Sequence, residues 1–119
     1  MAKKRIIPTG PTNMQTSMKK ATTEMMILHL LRQRSMYTYE LMNEIEERSG
    51  GAIVFNTLYL SIYRLEEKGY VQERSKVMSE DNRTRIYFAI TEAGIVYLEE
   101  LIRAYKQYAA ALARVLELE

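Results

Sequence analysis

The fold is decided by Arg64-Leu65-Glu66-Glu67-Lys68-Gly69-Tyr70-Val71-Gln72-Glu73-Arg74, where the spacing of apolar residues changes from that of a helix to that of a strand. Before Gly69, apolar residues recur at intervals of four and three, as on the buried face of a helix: Leu58, Ile62 and Leu65. We therefore predict a helix from about Asn56, as its N-cap, to Lys68. Glycine directly after the last helical residue is a common stop signal.

After Gly69 the pattern becomes that of a β-hairpin. Residues 70–74 are typical of a strand, and Ile86, Phe88 and Ile90 alternate as one face of a second strand. Ser79-Glu80-Asp81-Asn82 between them is rich in turn residues. We predict a two-stranded hairpin over about residues 70–90.

Two further helices are expected upstream of this segment. One begins at about Ser17 and reaches Arg34, and its stretch Met25–Leu31 is apolar nearly all round, which suggests cover by its own domain on one side and by a second subunit on the other. The next has Thr38 as its N-cap and ends at Gly50-Gly51, with Leu41 and Ile45 facing inward.

A long helix is expected after the hairpin, capped by Thr91 and extending to Leu118. At 1.5 Å per residue it would be about 40 Å long, too long for a small domain to cover. A seam of apolar residues recurs along it at spacings of 4, 3, 4, 3 and 4, which suits packing against another chain. The predicted dimerisation residues are Leu98, Ile102, Tyr105, Ala109, Leu112 and Leu116.

The order of elements predicts a mainly helical α+β fold, a winged helix-turn-helix with a long C-terminal dimerisation helix. Residues 1–16 are expected to be a flexible basic arm, residues 17–90 the DNA-binding domain and residues 91–119 the dimerisation helix. A small α+β domain that binds no nucleic acid is the alternative at this point.

Composition excludes several classes of chemistry. The 119 residues contain no cysteine, which excludes a thiolate zinc site and cysteine catalysis. The single histidine, His29, argues against a histidine-based metal site or a catalytic triad. No catalytic constellation is present, and we predict neither an enzyme nor a metal or cofactor site. No membrane helix or signal peptide is recognisable, so a cytoplasmic protein is expected.

The charges are distributed unevenly along the chain. Residues 1–34 carry seven basic residues against one acidic, whereas the rest carry 10 basic and 14 acidic.

Several segments together resemble the PadR family of transcriptional regulators, across about residues 25–98. They are Tyr37-Thr38-Tyr39-Glu40-Leu41, Glu46-Glu47-Arg48-Ser49-Gly50-Gly51, Thr57-Leu58-Tyr59, Arg64-Leu65-Glu66-Glu67-Lys68-Gly69-Tyr70-Val71 and Arg85-Ile86-Tyr87-Phe88-Ala89-Ile90-Thr91-Glu92-Ala93-Gly94. The resemblance implies a dimeric winged-helix repressor that dimerises through its last and first helices and is often relieved by a small molecule. Thr38, Val54-Phe55-Asn56 and Leu60 depart from the family pattern, which affects the expected operator more than the fold.

The candidate DNA-binding residues follow from this arrangement. The reading helix would project its side chains into the major groove, with Asn56 able to pair with adenine and apolar groups able to contact thymine methyls. Tyrosine hydroxyls and the basic residues of the wing and first helix would contact phosphates; capping, core packing or simple solvation are the alternatives. The residues are Tyr39, Phe55, Asn56, Thr57, Tyr59, Leu60, Ser61, Tyr63, Lys76, Arg83, Arg85, Lys19 and Lys20.

A small aromatic effector is a further expected partner. Flexible methionines and flat tyrosines on the first and last helices could line a pocket for it at the dimer interface, the alternative being plain dimer core. The candidates are Met25, Met26, His29, Tyr97, Tyr105 and Tyr108.

Taken together, the sequence predicts a homodimer that binds double-stranded DNA as a transcriptional repressor, without contact to a membrane. The alternative is a winged-helix module that binds a protein partner through the face of the third helix, where Val54, Phe55 and Leu60 are apolar.

Overall fold

The computed structural model describes residues 12–118 and contains four helices and one hairpin. The elements are α1 (Thr12–Gln33), α2 (Thr38–Arg48), α3 (Tyr59–Glu67), β1 (Val71–Met78), β2 (Thr84–Ile90) and α4 (Glu92–Leu116). The predicted order and the mainly helical α+β class are confirmed. No helix in residues 12–118 is both long and apolar enough to cross a membrane.

Helix α1 runs through the centre of the fold and contacts α2, α3, β2 and α4. Ile27 and Leu28 are fully buried, and Leu30 and Leu31 are 3% exposed. One chain therefore covers most of the stretch that was expected to need a second subunit, because neighbours of the same chain surround α1. His29 is the exposed residue of this stretch.

The start of α1 corrects a predicted boundary. The helix begins at Thr12, so residues 12–16 of the predicted arm are helical. This segment contains Met14 and Gln15, which are good helix formers, and no glycine or proline to stop the helix. The basic residues Lys3-Lys4-Arg5 lie outside the described residues.

The starts of α2 and α3 also differ from the predictions. Thr38 is the first residue of α2 rather than its cap, and the Glu40 carboxylate accepts the backbone N–H of Tyr37 at 3.2 Å. Helix α3 begins at Tyr59, so Asn56 is not its N-cap. Leu58 occupies the cap position, where burial of its side chain to 2% exposure fixes the helix start.

The hairpin of β1 and β2, which we call the wing, is a pair of antiparallel strands. Val71 lies opposite Ile90, and Met78 lies opposite Thr84. The register shifts between Glu73 and Ser75, which leaves a bulge at Arg74. Gly69 connects α3 to β1 with a φ of +82°, a value that glycine adopts without strain. Tyr70 N–H then donates to the carbonyl of Leu65 at 2.9 Å and closes the helix end.

Helix α4 is joined tightly to the base of the wing. The hydroxyl of Thr91 accepts the N–H of Gly94 at 3.0 Å, which confirms the predicted cap. The same hydroxyl donates to the carbonyl of Gly69 at 2.7 Å. From Glu92 to Leu116 the helix is about 37 Å long at 1.5 Å per residue.

Candidate nucleic-acid interface

The outward face of α3 carries large side chains. Ile62 and Leu65 face the core and are 1% and 0% exposed. On the opposite side Tyr59, Leu60 and Tyr63 are each about 60% exposed. Large apolar and aromatic groups that stand this far into solvent from a rigid helix are available to a partner.

A groove separates this face from the wing and the start of α2. Its volume is about 430 Å³. It brings together five of the predicted DNA-binding residues, namely Tyr39, Tyr59, Tyr63, Arg83 and Arg85. The groove is therefore lined by tyrosines, and its wing side carries two cations, Arg83 and Arg85, against one carboxylate, Glu73. Phenol hydroxyls and an excess of cations suit an anionic ligand.

Some groove residues escaped the sequence reasoning. Tyr37, Thr38 and Thr84 line the groove, and only the contacts of the wing with the residues just before α2 place them there. Arg64 is exposed one turn after Leu60, on the outward side of α3. Its spacing of four residues from Leu60 was a signal that could have found it.

Arg85 is held by the protein rather than presented freely. Its guanidinium donates a hydrogen bond to the Tyr37 hydroxyl, and its Cζ lies 4.6 Å from the centroid of that ring. Its Nη2 lies 3.8 Å from a carboxylate oxygen of Asp81, and its side chain is 31% exposed. Its Nε is buried without a hydrogen-bond partner among residues 12–118. Arg85 thus joins the wing to the start of α2.

The tip of the wing has mixed charge. The hydrogen bond from the Ser79 hydroxyl, with the nearby Arg83 and Arg85, lowers the pKa of Asp81 below its ordinary value. Arg83 pairs with Asp81 at 3.6 Å but keeps 80% of its side chain exposed. Lys76 is exposed on β1. The exposed cations of the wing are therefore Arg74, Lys76 and Arg83.

The residues before α3 lie on a loop, which corrects the prediction that they project from the helix. Phe55 is half-buried against the core, and the Lys19 ammonium lies 4.9 Å from the centroid of its ring. Asn56 and Thr57 are exposed, and Ser61 on α3 is half-buried. On α1, Lys19 is half-buried whereas Lys20 is exposed. Helix α3 starts too late to carry Phe55, Asn56 and Thr57.

Within one chain the candidate effector residues do not form a single pocket. Met26 and His29 line a cavity of about 220 Å³ together with residues of α2 and the following loop. Tyr97 lies elsewhere, stacked on Tyr70 with ring centroids 4.2 Å apart. Met25 is partly buried against the core, and Tyr105 and Tyr108 are 55% and 70% exposed.

Tyr97 has a structural partner on α1. Its hydroxyl donates to the Glu24 carboxylate at 2.8 Å. Burial, reinforced by this acidic partner, raises the pKa of Tyr97 to about 12. The phenol therefore stays protonated and holds α4 against α1.

The predicted seam of α4 divides into two parts. Leu98 is fully buried and Ile102 half-buried within the chain, whereas Tyr105 is 55% exposed. Further on, Ala109 is half-buried, and Leu112 and Leu116 are 41% and 55% exposed. The second part of the seam leaves apolar surface in solvent.

A helix pair followed by an outward-facing third helix and a two-stranded wing defines the winged-helix class of DNA-binding proteins. The pattern of the transcriptional regulator PadR-like family matches residues 27–100, and the chain belongs to this family of transcriptional regulators.

Individual relatives are consistent with this assignment. An uncharacterized protein of Lysinibacillus sphaericus is 32% identical over 83 residues, which are 68% of this chain and 75% of the relative. A transcriptional regulator from Clostridium thermocellum has a similar structure, with a TM-score of 0.73 and 25% identity over 82% of this chain and 96% of its own. A PadR-like transcriptional regulator from Bacillus cereus shares the fold, with a TM-score of 0.70 and 22% identity over 87% of this chain and 99% of its own.

Proposed function

We propose that the chain is a sequence-specific DNA-binding repressor that acts as a homodimer. The observation that carries the proposal is the outward face of α3, where Tyr59, Leu60 and Tyr63 stand about 60% exposed beside the wing. A helix presented in this way has the dimensions to enter the major groove. The loop residue Asn56 would then read adenine from the edge of the same surface.

The groove between α3 and the wing would accept the phosphate backbone. Hydroxyls of Tyr39, Tyr59 and Tyr63 line it, and these groups donate hydrogen bonds to phosphate oxygens. Arg83 and Lys76 would add charge from the wing, and Lys20 from α1. Because Asp81 offsets part of this charge, contact of the wing with the backbone is favoured over deep insertion of its tip into the minor groove.

Dimerisation would cover the second part of the α4 seam. The exposed apolar side chains from Tyr105 to Leu116 lie on a helix that extends beyond its own core, and a second copy offers the same surface. Two copies of α3 related by a two-fold axis would read a pseudo-palindrome with half-sites about 34–36 Å apart. Relief of repression by a small aromatic molecule is part of the proposal, its site requiring both copies because one chain does not assemble the candidate residues.

The test is a binding titration against a randomised duplex library, followed by anisotropy measurements on the enriched duplex. We expect one palindromic sequence to be enriched and its affinity to fall steeply with salt, because bound phosphates release counterions. Affinity that is independent of both sequence and salt would contradict the proposal.

The second candidate function is a protein-binding module, favoured by the exposed apolar Val54 and Leu60 beside Tyr59 and Tyr63. The same titration separates the two functions. A protein-binding module would enrich no duplex sequence from the library.

A further inference from the structure

Lys19 connects α1 to the segment that leads into α3. We call residues 52–58 the entry loop. The Lys19 ammonium donates a hydrogen bond to the carbonyl of Val54 at 2.8 Å and lies 4.9 Å from the centroid of the Phe55 ring. One side chain thus contacts two successive residues in the middle of this loop.

The entry loop has few other restraints between its ends. At its start the N–H of Ile53 donates to the Ser49 hydroxyl at 2.9 Å, and at its end Leu58 is buried to 2% exposure. Within residues 12–118, no backbone N–H from 54 to 58 donates to a backbone carbonyl. The middle of the loop is therefore held by the packing of Phe55 and by Lys19.

Lys19 belongs to α1, the helix that contacts α2, α3, β2 and α4. The Thr23 hydroxyl donates to the Lys19 carbonyl at 2.6 Å, and Thr23 is 6% exposed. The hydrogen bond to Val54 therefore ties the entry loop to α1. A movement of Val54 would be transmitted to Tyr59, where the outward face of α3 begins five residues later.

We propose that Lys19 is a positioning residue that sets the entry loop and, through it, the orientation of α3 for reading DNA. This inference rests on the proposed DNA-binding function. It gives Lys19 a role different from the phosphate contact expected from its charge, because its ammonium is engaged by the Val54 carbonyl and the Phe55 ring.

Lys19→Met in the full chain tests the inference, because methionine keeps an unbranched apolar stem near Phe55 but lacks the ammonium. We expect affinity for the duplex enriched by the wild-type protein to fall about tenfold, because binding would then have to order a loop that a charge-assisted hydrogen bond holds in the wild type. Affinity for a random-sequence duplex should change less than about twofold, and the slope of log K against log salt should stay constant because no phosphate contact is lost. Lys19→Arg should restore most of the affinity.

Lys20→Met is the matched control for the loop readout, since it removes an exposed charge from the adjacent position. As a proposed phosphate contact, Lys20 should give the opposite DNA result, an equal loss of affinity for both duplexes with a slope reduced by about 0.9. ¹⁵N relaxation provides a readout independent of DNA: order parameters of residues 54–57 should fall below about 0.6 in Lys19→Met and remain near 0.85 in Lys20→Met. Thermal melting identifies any general loss of folding.

Two results would overturn the inference. The first is an equal loss of affinity for both duplexes in Lys19→Met with a slope reduced by about 0.9, which is the signature of a direct phosphate contact. The second is unchanged order parameters in the entry loop of Lys19→Met. If the wild-type protein binds no duplex, the proposed function fails by itself, and the relaxation data alone decide the role of Lys19.

Discussion

Gly94 is expected to be indispensable to the join between α4 and the wing. A Cβ atom at this position would lie 2.2 Å from the carbonyl oxygen of Tyr70 and 2.7 Å from Cγ1 of Ile90. Reaching even a 3.0 Å separation from the oxygen requires a movement of about 0.8 Å. The oxygen cannot move alone, because it is backbone and accepts the N–H of Thr91 at 3.0 Å.

The cost of Gly94→Ala can be worked from these contacts. Overpacking costs about 1–3 kcal/mol, and weakening of the Thr91 hydrogen bond adds about 1 kcal/mol. The better helix propensity of alanine returns about 1 kcal/mol. We expect the free energy of unfolding to fall by about 1–3 kcal/mol and Tm by about 5–10 °C, measured by circular dichroism during urea and thermal unfolding at fixed protein concentration.

Gly69→Ala is the matched control, because its Cβ would meet no atom within 4 Å although φ is +82°. It should cost about 1–2 kcal/mol, from the left-handed backbone alone. If Gly94→Ala is as stable as the wild type, the argument from close approach is wrong.

Three further predictions concern pH, DNA and assembly. Because its pKa is raised from 10.0 to about 12 on folding, Tyr97 should contribute stability that is complete below pH 10 and is lost as the pH rises toward 12. Urea midpoints of Tyr97→Phe should therefore fall less across this window than those of the wild type, and parallel curves would rule the contribution out. In competition anisotropy, Asn56→Ala should change the preferred sequence, whereas Lys76→Ala should weaken all duplexes alike and lower the salt slope by about 0.9; uniform loss for both variants would refute this division. The wild type and Arg114→Glu should sediment as the proposed dimer and Leu112→Glu as a monomer; dimers of both variants would show that Leu112 is not part of the interface.

The elements with strong local signals were predictable from the sequence. Apolar residues recur every three or four positions before Gly69 and follow the pattern of a strand after it. Thr91 precedes the apolar repeat of α4 as its cap. Each signal lies within a few residues of the structure it specifies, so interactions between near neighbours in the sequence are enough to predict these elements. The order of helices and wing followed from these points.

The start of α3 was not predictable in the same way. Asn56 is a good capping residue, yet the helix begins three residues later because Leu58 is buried against the core. Burial of a leucine is worth about 2 kcal/mol, more than most caps contribute. Tertiary packing therefore overrode the local preference.

The roles of individual charged residues depended on contacts distant in sequence. Lys19 and Arg85 were predicted as phosphate contacts from their charge. In the structure Lys19 binds the carbonyl of Val54, 35 residues away, and Arg85 binds Tyr37, 48 residues away. Composition identifies such cations, but only the fold decides whether their charge is presented to solvent.

The hairpin also bears on self-association by strand pairing. At its base, Phe88 exchanges two backbone hydrogen bonds with Met36, at 2.9 and 3.2 Å, which closes the outer edge of β2 there. In residues 12–118 no strand pairs with the outer edge of β1, where Val77 and Met78 are 46% and 64% exposed. An open edge with apolar residues is a template for another strand, and the bulge at Arg74 and the charge of Lys76 are the features that oppose it. Neutralising Lys76 would therefore remove a safeguard against edge-to-edge aggregation as well as a candidate contact with DNA.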